Sequence, residues 1–308
     1  MLSEYHSFSS LHLEKTCVTI GAFDGIHLGH RSLLDPFIDY AERLHLPTAV
    51  VTFDPLPTVF FQRNGIQKNI ILPEERASIL SPLGIQYLIT LKFDQKLADL
   101  SPHEFISEMK HALNMESIWV GMNFSLGKNR SGTTDVIRGL MQEFNFSLYE
   151  VPQLTLDGDG VSSTRIRGLL TTGNIREANH LLGYSFFINN EIIHGEARGR
   201  KLGIPTINMA YPEKKVMVAK GVYATRITIQ DDIYAAVTNV GTRPTFHDEE
   251  EQVVIESFLL ENAFDDLYGK TARIEFVEYL RTEKKFPSAK DLVDQIHQDI
   301  AEAREILS

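Results

Sequence analysis

The first half of the chain alternates short apolar runs with amphipathic stretches. Continuous apolar or β-branched runs predict strands buried on both faces, as in parallel sheets. Such runs occur at 16–20, 48–53, 87–91, 117–121 and 144–151. Helical periodicity separates them at 28–43, 73–83 and 102–113. This alternation predicts an α/β fold, a Rossmann-like doubly wound parallel sheet with right-handed crossovers.

The pattern changes beyond residue 184. Short runs with β character follow one another, with turn residues between them, at 185–188, 191–194, 221–229, 233–240, 253–260 and 272–280. Strands without intervening helices predict a small Greek-key β-barrel. A final amphipathic helix begins near Ser288 and Asp291, and its apolar stripe is expected to cover the barrel core.

We predict two domains, residues 1–184 and 185–308, because 308 residues exceed one average domain. Asn174 and Glu177 have the spacing of a capping box at the start of a short helix that Gly183 ends. No proline- or serine-rich linker follows this helix, so the boundary is placed directly after it.

The composition limits the kinds of binding partner that the protein can have. A net charge of −11 argues against a broad nucleic-acid surface, which needs a basic face. The single cysteine, Cys17, excludes an internal disulfide, and we find no basic leader or apolar run of membrane-spanning length. We therefore expect a cytoplasmic protein, monomeric or weakly oligomeric, with small-molecule substrates and with neither nucleic acid nor membrane as a partner.

Residues 16–30 combine a strand, a glycine-punctuated turn and a helix start. Such a junction aims backbone N–H groups and the positive end of a helix at one point, which suits a phosphate group. His27 and His30 can add imidazole donors. A zinc pair or two satisfied surface histidines are the alternatives. Phosphate binding is favoured because no cysteine accompanies the pair and Asp24 is the only nearby carboxylate.

Three further segments carry candidate chemistry. The glycine-rich loop 121–132 follows a strand, although most loops of this composition are solvated connections. Residues 161–167 place serines and two arginines at a helix start, where a capped surface helix is an equally ordinary interpretation. Residues 194–208 hold three glycines and three cations, which can fold over a triphosphate, although a basic glycine loop taken alone is more often simply exposed. Thr206 and Asn208, at the end of that segment, are oxygen ligands suited to a Mg²⁺ ion shared with ATP.

Together these segments resemble a known family. Three motifs of the first half resemble, in order and spacing, the nucleotidylyltransferase half of prokaryotic bifunctional riboflavin kinase/FAD synthetases. They are Gly-x-Phe-Asp-Gly-x-His-x-Gly-His at 21–30, Gly-x-Asn-Phe-x-x-Gly at 121–127 and Ser-Ser-Thr-Arg-Ile-Arg at 162–167. Segment 194–208 resembles the riboflavin kinase signature, and 239–244 and 266–269 match its later motifs.

The resemblance implies that riboflavin and ATP give FMN in the second domain, and that FMN and ATP give FAD and pyrophosphate in the first. It implies catalytic roles for His27, His30 and Arg165, a general base at Glu256 and Mg²⁺ ligands at Thr206 and Asn208. The implied flavin-binding residues are Asn123, Phe124, Asn239 and Arg243. The implied ATP-binding residues are Gly21, Phe23, Asp24, Gly29, Ser162, Ser163, Thr164, Arg167, Gly195, Arg198, Gly199 and Gly203.

The sequence departs from the family pattern at two positions. Leu56 replaces a histidine, which bears on substrate fit in the first domain. Ile207 replaces an alanine beside the two proposed Mg²⁺ ligands, where added bulk could perturb the kinase. Two alternatives therefore stay open: a monofunctional FMN adenylyltransferase whose barrel binds flavin without phosphorylating it, and a flavin-sensing regulatory protein without turnover. Strand alternation alone also leaves open that Glu256 faces solvent.

Overall fold

The computed structural model describes residues 2–61, 68–195, 204–243, 252–261 and 267–308, without the side chains of Ser10, Arg243 and Gln252. The chain divides into two compact units, residues 1–163 and 164–308. The predicted domain boundary at 184 falls later in the chain than this division and remains a prediction.

The first unit contains short and long strands in alternation with helices. Its strands are β1 (Ser3–Tyr5), β2 (Thr16–Ile20), β3 (Thr48–Asp54), β4 (Tyr87–Lys92), β5 (Met115–Gly121), β6 (Ser125–Leu126), β7 (Gly132–Thr133), β8 (Ser147–Val151), β9 (Thr155–Leu156) and β10 (Asp159–Gly160). Its α-helices are α1 (Leu28–Leu44), α2 (Pro57–Phe61), α3 (Arg76–Leu80), α4 (Gln95–Ala98), α5 (Pro102–Leu113) and α6 (Thr134–Phe144).

Six of these strands form one parallel sheet in the order β1-β4-β3-β2-β5-β8. The chain builds outward from β2 through β3 to β4, and then returns to place β5 on the other side of β2. The boundary between β2 and β5 is therefore the topological switch point of the sheet. In open α/β sheets, ligands bind in the crevice beside the carboxyl ends of the strands at this point.

The predicted α/β organisation of this unit is confirmed, and the elements that were not predicted have local explanations. Helix α6 follows the glycine-rich loop, and its apolar residues Ile137, Leu140, Met141 and Phe144 recur at helical spacing and pack on the core. This stripe was present in the sequence but was not used in the prediction. Asn145 ends α6 in the left-handed region, with φ of 49°. The next strand consequently begins at Ser147 and not at residue 144 as predicted.

The second unit is mainly antiparallel. Helices α7 (Ser163–Thr171) and α8 (Ile175–Leu182) precede β11 (Phe187–Glu191), β12 (Thr206–Ala210), β13 (Gly221–Ile229), β14 (Asp232–Arg243), β15 (Gln252–Leu259) and β16 (Thr271–Arg281), and α9 (Ala289–Leu307) ends the chain. The sheet order is β11-β16-β13-β14-β15-β12. Because β16 returns beside β13, strands β13 to β16 form a Greek key, and a bridge from Ile193 to Asn208 links the two edges of the sheet.

The predicted barrel with a C-terminal helix is confirmed, with two differences in detail. Strand β12 was not predicted. Of the predicted run 191–194, only Glu191 belongs to a strand, and Ile193 forms an isolated bridge. Ser288 caps α9 as expected, because its hydroxyl accepts the N–H of Asp291.

The predicted capping box at α8 is wrong. The Asn174 side chain donates to the Thr172 hydroxyl, at 2.9 Å, and makes no capping bond to the helix. Glu177 instead pairs with Arg165, with a nitrogen–oxygen distance of 2.9 Å. Both side chains of the expected capping box therefore bind other residues nearby.

Candidate active sites

The turn after β2 is built from residues in unusual backbone conformations. Phe23, Gly25 and Ile26 have φ values of 45°, 88° and 37°, so two non-glycine residues occupy the sparsely populated left-handed region. Both Phe23 and Ile26 are buried, and their packing offsets the local strain. The turn thereby delivers His27 to the N-cap position of α1, at the carboxyl end of β2.

The two histidines of the turn form a stacked pair. Their ring centroids lie 3.8 Å apart, and the backbone N–H of His30 donates to Nδ1 of His27 at 3.3 Å. Nδ1 of His27 therefore carries no proton, and a neutral His27 has its proton on Nε2, where it can donate to an anion. Burial lowers the pKa of His30 well below its usual value, and the neighbouring His27 lowers it further. His30 is consequently neutral at neutral pH.

Gly29 allows the first and third motifs to meet. A Cβ at this position would lie 3.0 Å from the carbonyl oxygen of Val161 and 3.1 Å from the His27 ring. Both contacts are tighter than ordinary van der Waals packing. Nearby, the Ser163 hydroxyl donates to the backbone carbonyl of Asp24 at 2.8 Å. The structure therefore brings the 21–30 turn and the start of the 162–167 segment together, as the phosphate-binding prediction requires.

Asp24 has an anchoring role that the sequence did not reveal. Its side chain is buried and accepts the backbone N–H groups of Ile70 and Ile71, at 2.8 and 3.3 Å. The carboxylate thus ties a distant segment to the turn. A contact of Asp24 with ATP remains a prediction, and so do those of Gly21 and Phe23, which lie in the same turn.

The glycine-rich loop follows β5 and therefore emerges on the far side of the switch point from the histidine turn. Asn123 is exposed there, and Phe124 is half-buried against the core of the sheet. Asn129 and Arg130 adopt left-handed conformations, with φ of 55° and 58°. Nε of Arg130 donates to the Ser125 hydroxyl at 2.8 Å, which holds the loop folded back on itself.

An aromatic cluster lies at the carboxyl ends of β3 and β4, and the sequence analysis missed it. Phe93 packs edge-on against Phe53, Phe60 and Phe61, with ring centroids 5.3 to 5.7 Å apart. Phe61 is 61% exposed, although it belongs to this cluster. The available signal was the pair of phenylalanines that closely follows the Asp-Pro-Leu-Pro loop, at a strand end where ligands collect. Leu56, in that loop, is buried.

The predicted residues of α7 fall at the boundary of the two compact units. Ser162 immediately precedes the helix, and Thr164, Arg165 and Arg167 belong to the second unit. Arg165 is paired with Glu177. An ATP contact for Arg165 or Arg167 remains a prediction, and for Arg165 it requires exchange of the Glu177 carboxylate for a phosphate.

In the barrel, strand register gathers three predicted residues into one row. Asn208 on β12 lies directly opposite Glu256 on β15, and Glu256 lies directly opposite Asn239 on β14. Directly opposite residues on antiparallel strands present their side chains on the same face. The predicted Mg²⁺ ligand, general base and flavin-binding residue are therefore neighbours. We call this set the Asn-Glu-Asn row.

The row lies on the outer face of the sheet. The neighbouring positions Ser257 and Thr238 point the other way, and their hydroxyls form a buried hydrogen-bonded chain with Thr225, at 2.8 and 2.7 Å. Ile207 lies opposite Ser257 and shares this inner face. Ile207 therefore points away from Thr206 and Asn208, and its bulk does not enter the space beside the proposed Mg²⁺ ligands.

Gly195 is required by the packing of the row. A Cβ here would lie 2.3 to 2.7 Å from the side-chain amide of Asn208, so only glycine leaves room for that side chain. The adjacent His194 stacks on Tyr268, with ring centroids 3.7 Å apart. Arg198, Gly199 and Gly203 lie outside the described residues, as does the side chain of Arg243.

The donor set suits a hard cation that arrives with a nucleotide. Within the described ranges, no group of three or more histidine, cysteine, aspartate or glutamate residues could hold a metal by itself. The row and Thr206 offer hydroxyl, amide and carboxylate oxygens, which are the ligands that Mg²⁺ prefers. Mg²⁺ commonly binds through one or two protein oxygens together with substrate phosphates, so these residues fit that ion.

The first unit has a histidine turn at the switch point of a parallel sheet, and the second has a Greek-key barrel with a carboxylate between two amides. This combination is typical of an enzyme with a separate site in each half. Comparison with known families identifies the class further. The sequence model of the FAD synthetase family matches residues 9–165, and that of the riboflavin kinase family matches residues 182–307. The chain belongs to the family of bifunctional riboflavin kinase/FMN adenylyltransferases.

Curated relatives match over almost their whole length. The bifunctional riboflavin kinase/FMN adenylyltransferase of Bacillus subtilis is 34% identical over 94% of this chain and 92% of its own. That of Escherichia coli K12 is 32% identical over 97% of this chain and 95% of its own. A crystal structure from Streptococcus pneumoniae, described as a macrolide-efflux protein, is 30% identical with a TM-score of 0.89 and covers 98% of both chains. In the described part of this chain, no helix has the length and apolar character needed to cross a membrane.

Proposed function

We propose that the two reactions of the family occur at the two sites described above. Riboflavin is phosphorylated at the Asn-Glu-Asn row of the barrel, and FMN is adenylylated at the histidine turn of the parallel sheet. The cross-strand alignment of Asn208, Glu256 and Asn239 supports the assignment in the barrel. The contact of the 21–30 turn with the start of the 162–167 segment supports the assignment in the parallel sheet.

In the barrel, we assign Glu256 as the general base. It takes the proton of the riboflavin 5′-hydroxyl as that oxygen attacks the γ-phosphorus of ATP, and ADP leaves. Thr206 and Asn208 would hold Mg²⁺, which neutralises charge on the phosphates when it is bound. Asn239 lies beside the base and orients the flavin. The row's position on the outer face, where Glu256 is half-buried, leaves the carboxylate accessible to a substrate hydroxyl.

In the parallel sheet, no protein nucleophile is needed. A phosphate oxygen of FMN attacks the α-phosphorus of ATP in line, and pyrophosphate leaves. The protein contributes positioning and stabilisation of the developing charge. His27 and His30 supply neutral imidazole donors, and the N-terminus of α1 adds its dipole. Arg165 would add a positive charge once it is released from Glu177.

The aromatic cluster at Phe61 is assigned as the platform for the isoalloxazine ring of FMN. An exposed phenylalanine that packs against two other rings, those of Phe60 and Phe93, offers a preformed stacking surface at the carboxyl edge of the sheet. Asn123 and Phe124 approach the same edge from β5. Replacing Phe61 with alanine should raise the KM for FMN in FAD formation and leave riboflavin phosphorylation unchanged.

The monofunctional alternative rested on steric interference by Ile207, and the inward direction of that side chain removes its physical basis. The assignment is tested by incubating the protein with ATP and Mg²⁺ and either riboflavin or FMN, and separating the flavins by chromatography. FAD from both substrates supports both activities. FAD from FMN alone would restore the monofunctional alternative, and flavin binding without turnover of either substrate would favour the regulatory one.

A further inference from the structure

A second carboxylate, Glu283, lies beside the Asn-Glu-Asn row, and no role has been assigned to it so far. It follows β16 closely, and the end of that strand is firmly held. The Arg281 guanidinium makes a bidentate contact with the buried carboxylate of Asp299 on α9, with nitrogen–oxygen distances of 2.7 to 3.1 Å. The backbone that carries Glu283 is therefore anchored two residues upstream.

Glu283 contacts two residues of β14. Its Oε1 accepts a long hydrogen bond, 3.4 Å, from Nδ2 of Asn239. The same oxygen fills the space over Gly241, since a Cβ there would lie 2.2 Å from it and 3.2 Å from Nδ2 of Asn239. Both contacted residues belong to the segment 239–244 that the sequence relates to the kinase signature. Glycine at 241 is thus what allows the carboxylate to reach Asn239.

The contact favours one direction of the Asn239 amide. When Nδ2 donates to a carboxylate, the other arm of the amide, Oδ1, is left to accept a hydrogen bond from another group. Asn239 lies directly opposite Glu256, so that acceptor stands next to the proposed general base. A carbonyl oxygen there can recognise the imide N–H or a ribityl hydroxyl of a flavin, whereas a flipped amide would present two N–H donors to it.

We propose that Glu283 is a positioning residue for flavin recognition in the kinase half, acting through Asn239. This inference rests on the proposed function of the barrel. Glu283 is exposed in the free protein, where water weakens its bond to Asn239. A flavin that covers the pair excludes this water and strengthens the bond, so the effect belongs to flavin binding and not to folding.

The test uses the full-length protein and compares Glu283→Ala, Gly241→Ala, the double variant and Glu283→Gln. We expect Glu283→Ala to raise the KM for riboflavin about five- to tenfold, with kcat changed less than about threefold, as for one hydrogen bond to a charged group. Gly241→Ala should act similarly, because its new methyl group displaces the flexible carboxylate. The double variant should be no worse than Glu283→Ala, and Glu283→Gln, whose Oε1 still accepts from Asn239, should retain most of the wild-type KM.

The adenylyltransferase reaction, FAD from FMN, is the internal control and should be unchanged in all four variants. Glu302→Ala, which removes an exposed carboxylate of α9, controls for net charge. An unchanged riboflavin KM in Glu283→Ala, or additive penalties in the double variant, would overturn the proposal. So would a Glu283→Gln variant as impaired as Glu283→Ala.

Flavin binding separates failure of this proposal from failure of the proposed function. If the wild-type protein forms no FMN, riboflavin fluorescence is titrated with wild type and Glu283→Ala in the presence of Mg²⁺ and ADP. Weaker binding by the variant would uphold the role of Glu283 without kinase activity, and equal binding would refute it.

Discussion

The two halves of this protein assemble their sites in different ways. In the parallel sheet, the candidate residues follow strands: they lie on a turn after β2, a loop after β5 and a helix start that closes on the turn. In the barrel, the central residues lie within strands, and hydrogen-bond register places them side by side. The first kind of site depends on backbone turns that only some residues permit. The second depends on alternation, because a register shift of one residue would move the whole row to the other face.

This difference determines which substitutions should be harmful in each half. A site made of turns is sensitive to an added methyl group where the backbone is crowded, as at Gly29. In a site made of strand residues, changes on the inner face should lower stability and changes on the outer face should lower activity, as we expect for Ile207 and Glu256 respectively. Because each half carries its own reaction, the other half serves as a control in the same molecule.

The largest expected effect is that of Glu256→Gln. Loss of a general base should lower riboflavin phosphorylation by about 10²- to 10⁴-fold and leave FAD formation from FMN intact. Initial rates of both reactions, measured by chromatography, give the comparison. Glu261→Gln, an exposed position just beyond the same strand, should resemble wild type. Comparable losses in both reactions of Glu256→Gln would mean that the barrel row is not a separate site.

A smaller effect is expected for Gly29→Ala. The new methyl group would meet the Val161 carbonyl and the His27 ring, so the ring must shift by a few tenths of an ångström or more. Misplacement on this scale should lower kcat/KM for FAD formation by roughly 10- to 100-fold, with riboflavin phosphorylation unchanged. Gly139→Ala is the matched control, since a Cβ there meets nothing within 4 Å. Full adenylyltransferase activity in Gly29→Ala would show that the tight contact is not needed.

Ile207→Ala should separate stability from activity in the barrel. Truncation of this buried side chain should lower the free energy of unfolding by about 2 kcal/mol or more, measured by denaturant titration. Kinase kcat should stay within about threefold of wild type, because Ile207 faces away from the Asn-Glu-Asn row. An increase in kcat of tenfold or more would instead support steric interference by the isoleucine.

The smallest expected effect is a pH dependence of the stability of the first unit. The pKa of His30 in the folded protein lies well below its ordinary value of 6.5. As the pH falls below about 6.5, the unfolded chain therefore binds a proton at His30 that the folded chain does not bind. The free energy of unfolding decreases over that pH range. Denaturation midpoints at pH 7.5, 6.5 and 5.5 should fall more steeply for wild type than for His30→Gln. His297→Gln, at an exposed position on α9, should follow wild type. Parallel curves for all three proteins would contradict a neutral His30 in the folded protein.

Much of this organisation could be predicted from the sequence because it depends on residues that lie close together in the chain. Strand β2 and helix α5 have the predicted bounds, since apolar runs and caps mark them directly. The histidine turn was also recognisable, because glycines, an apolar strand and a helix start occur within fifteen residues.

The remaining features depend on partners far away in the chain. Strand β12 is a short segment after a glycine-rich loop, and it becomes a strand only through pairing with β15. The alignment of Asn208, Glu256 and Asn239 is a property of register, which no single segment encodes. Likewise, the carboxylate of Asp24 anchors Ile70 and Ile71 across a separation that no local sequence pattern spans, and its predicted contact with ATP stays a prediction.

The central claim is that two separate sites act in sequence on one flavin, and a mixing experiment tests it most directly. His30→Ala should convert riboflavin only to FMN, and Glu256→Gln should form FAD only when FMN is supplied. With riboflavin, ATP and Mg²⁺, neither variant alone should make FAD, whereas the two variants mixed in one tube should make it, as FMN released by the first is adenylylated by the second. Accumulation of FMN without FAD in the mixture, or loss of both reactions in either variant, would contradict the account.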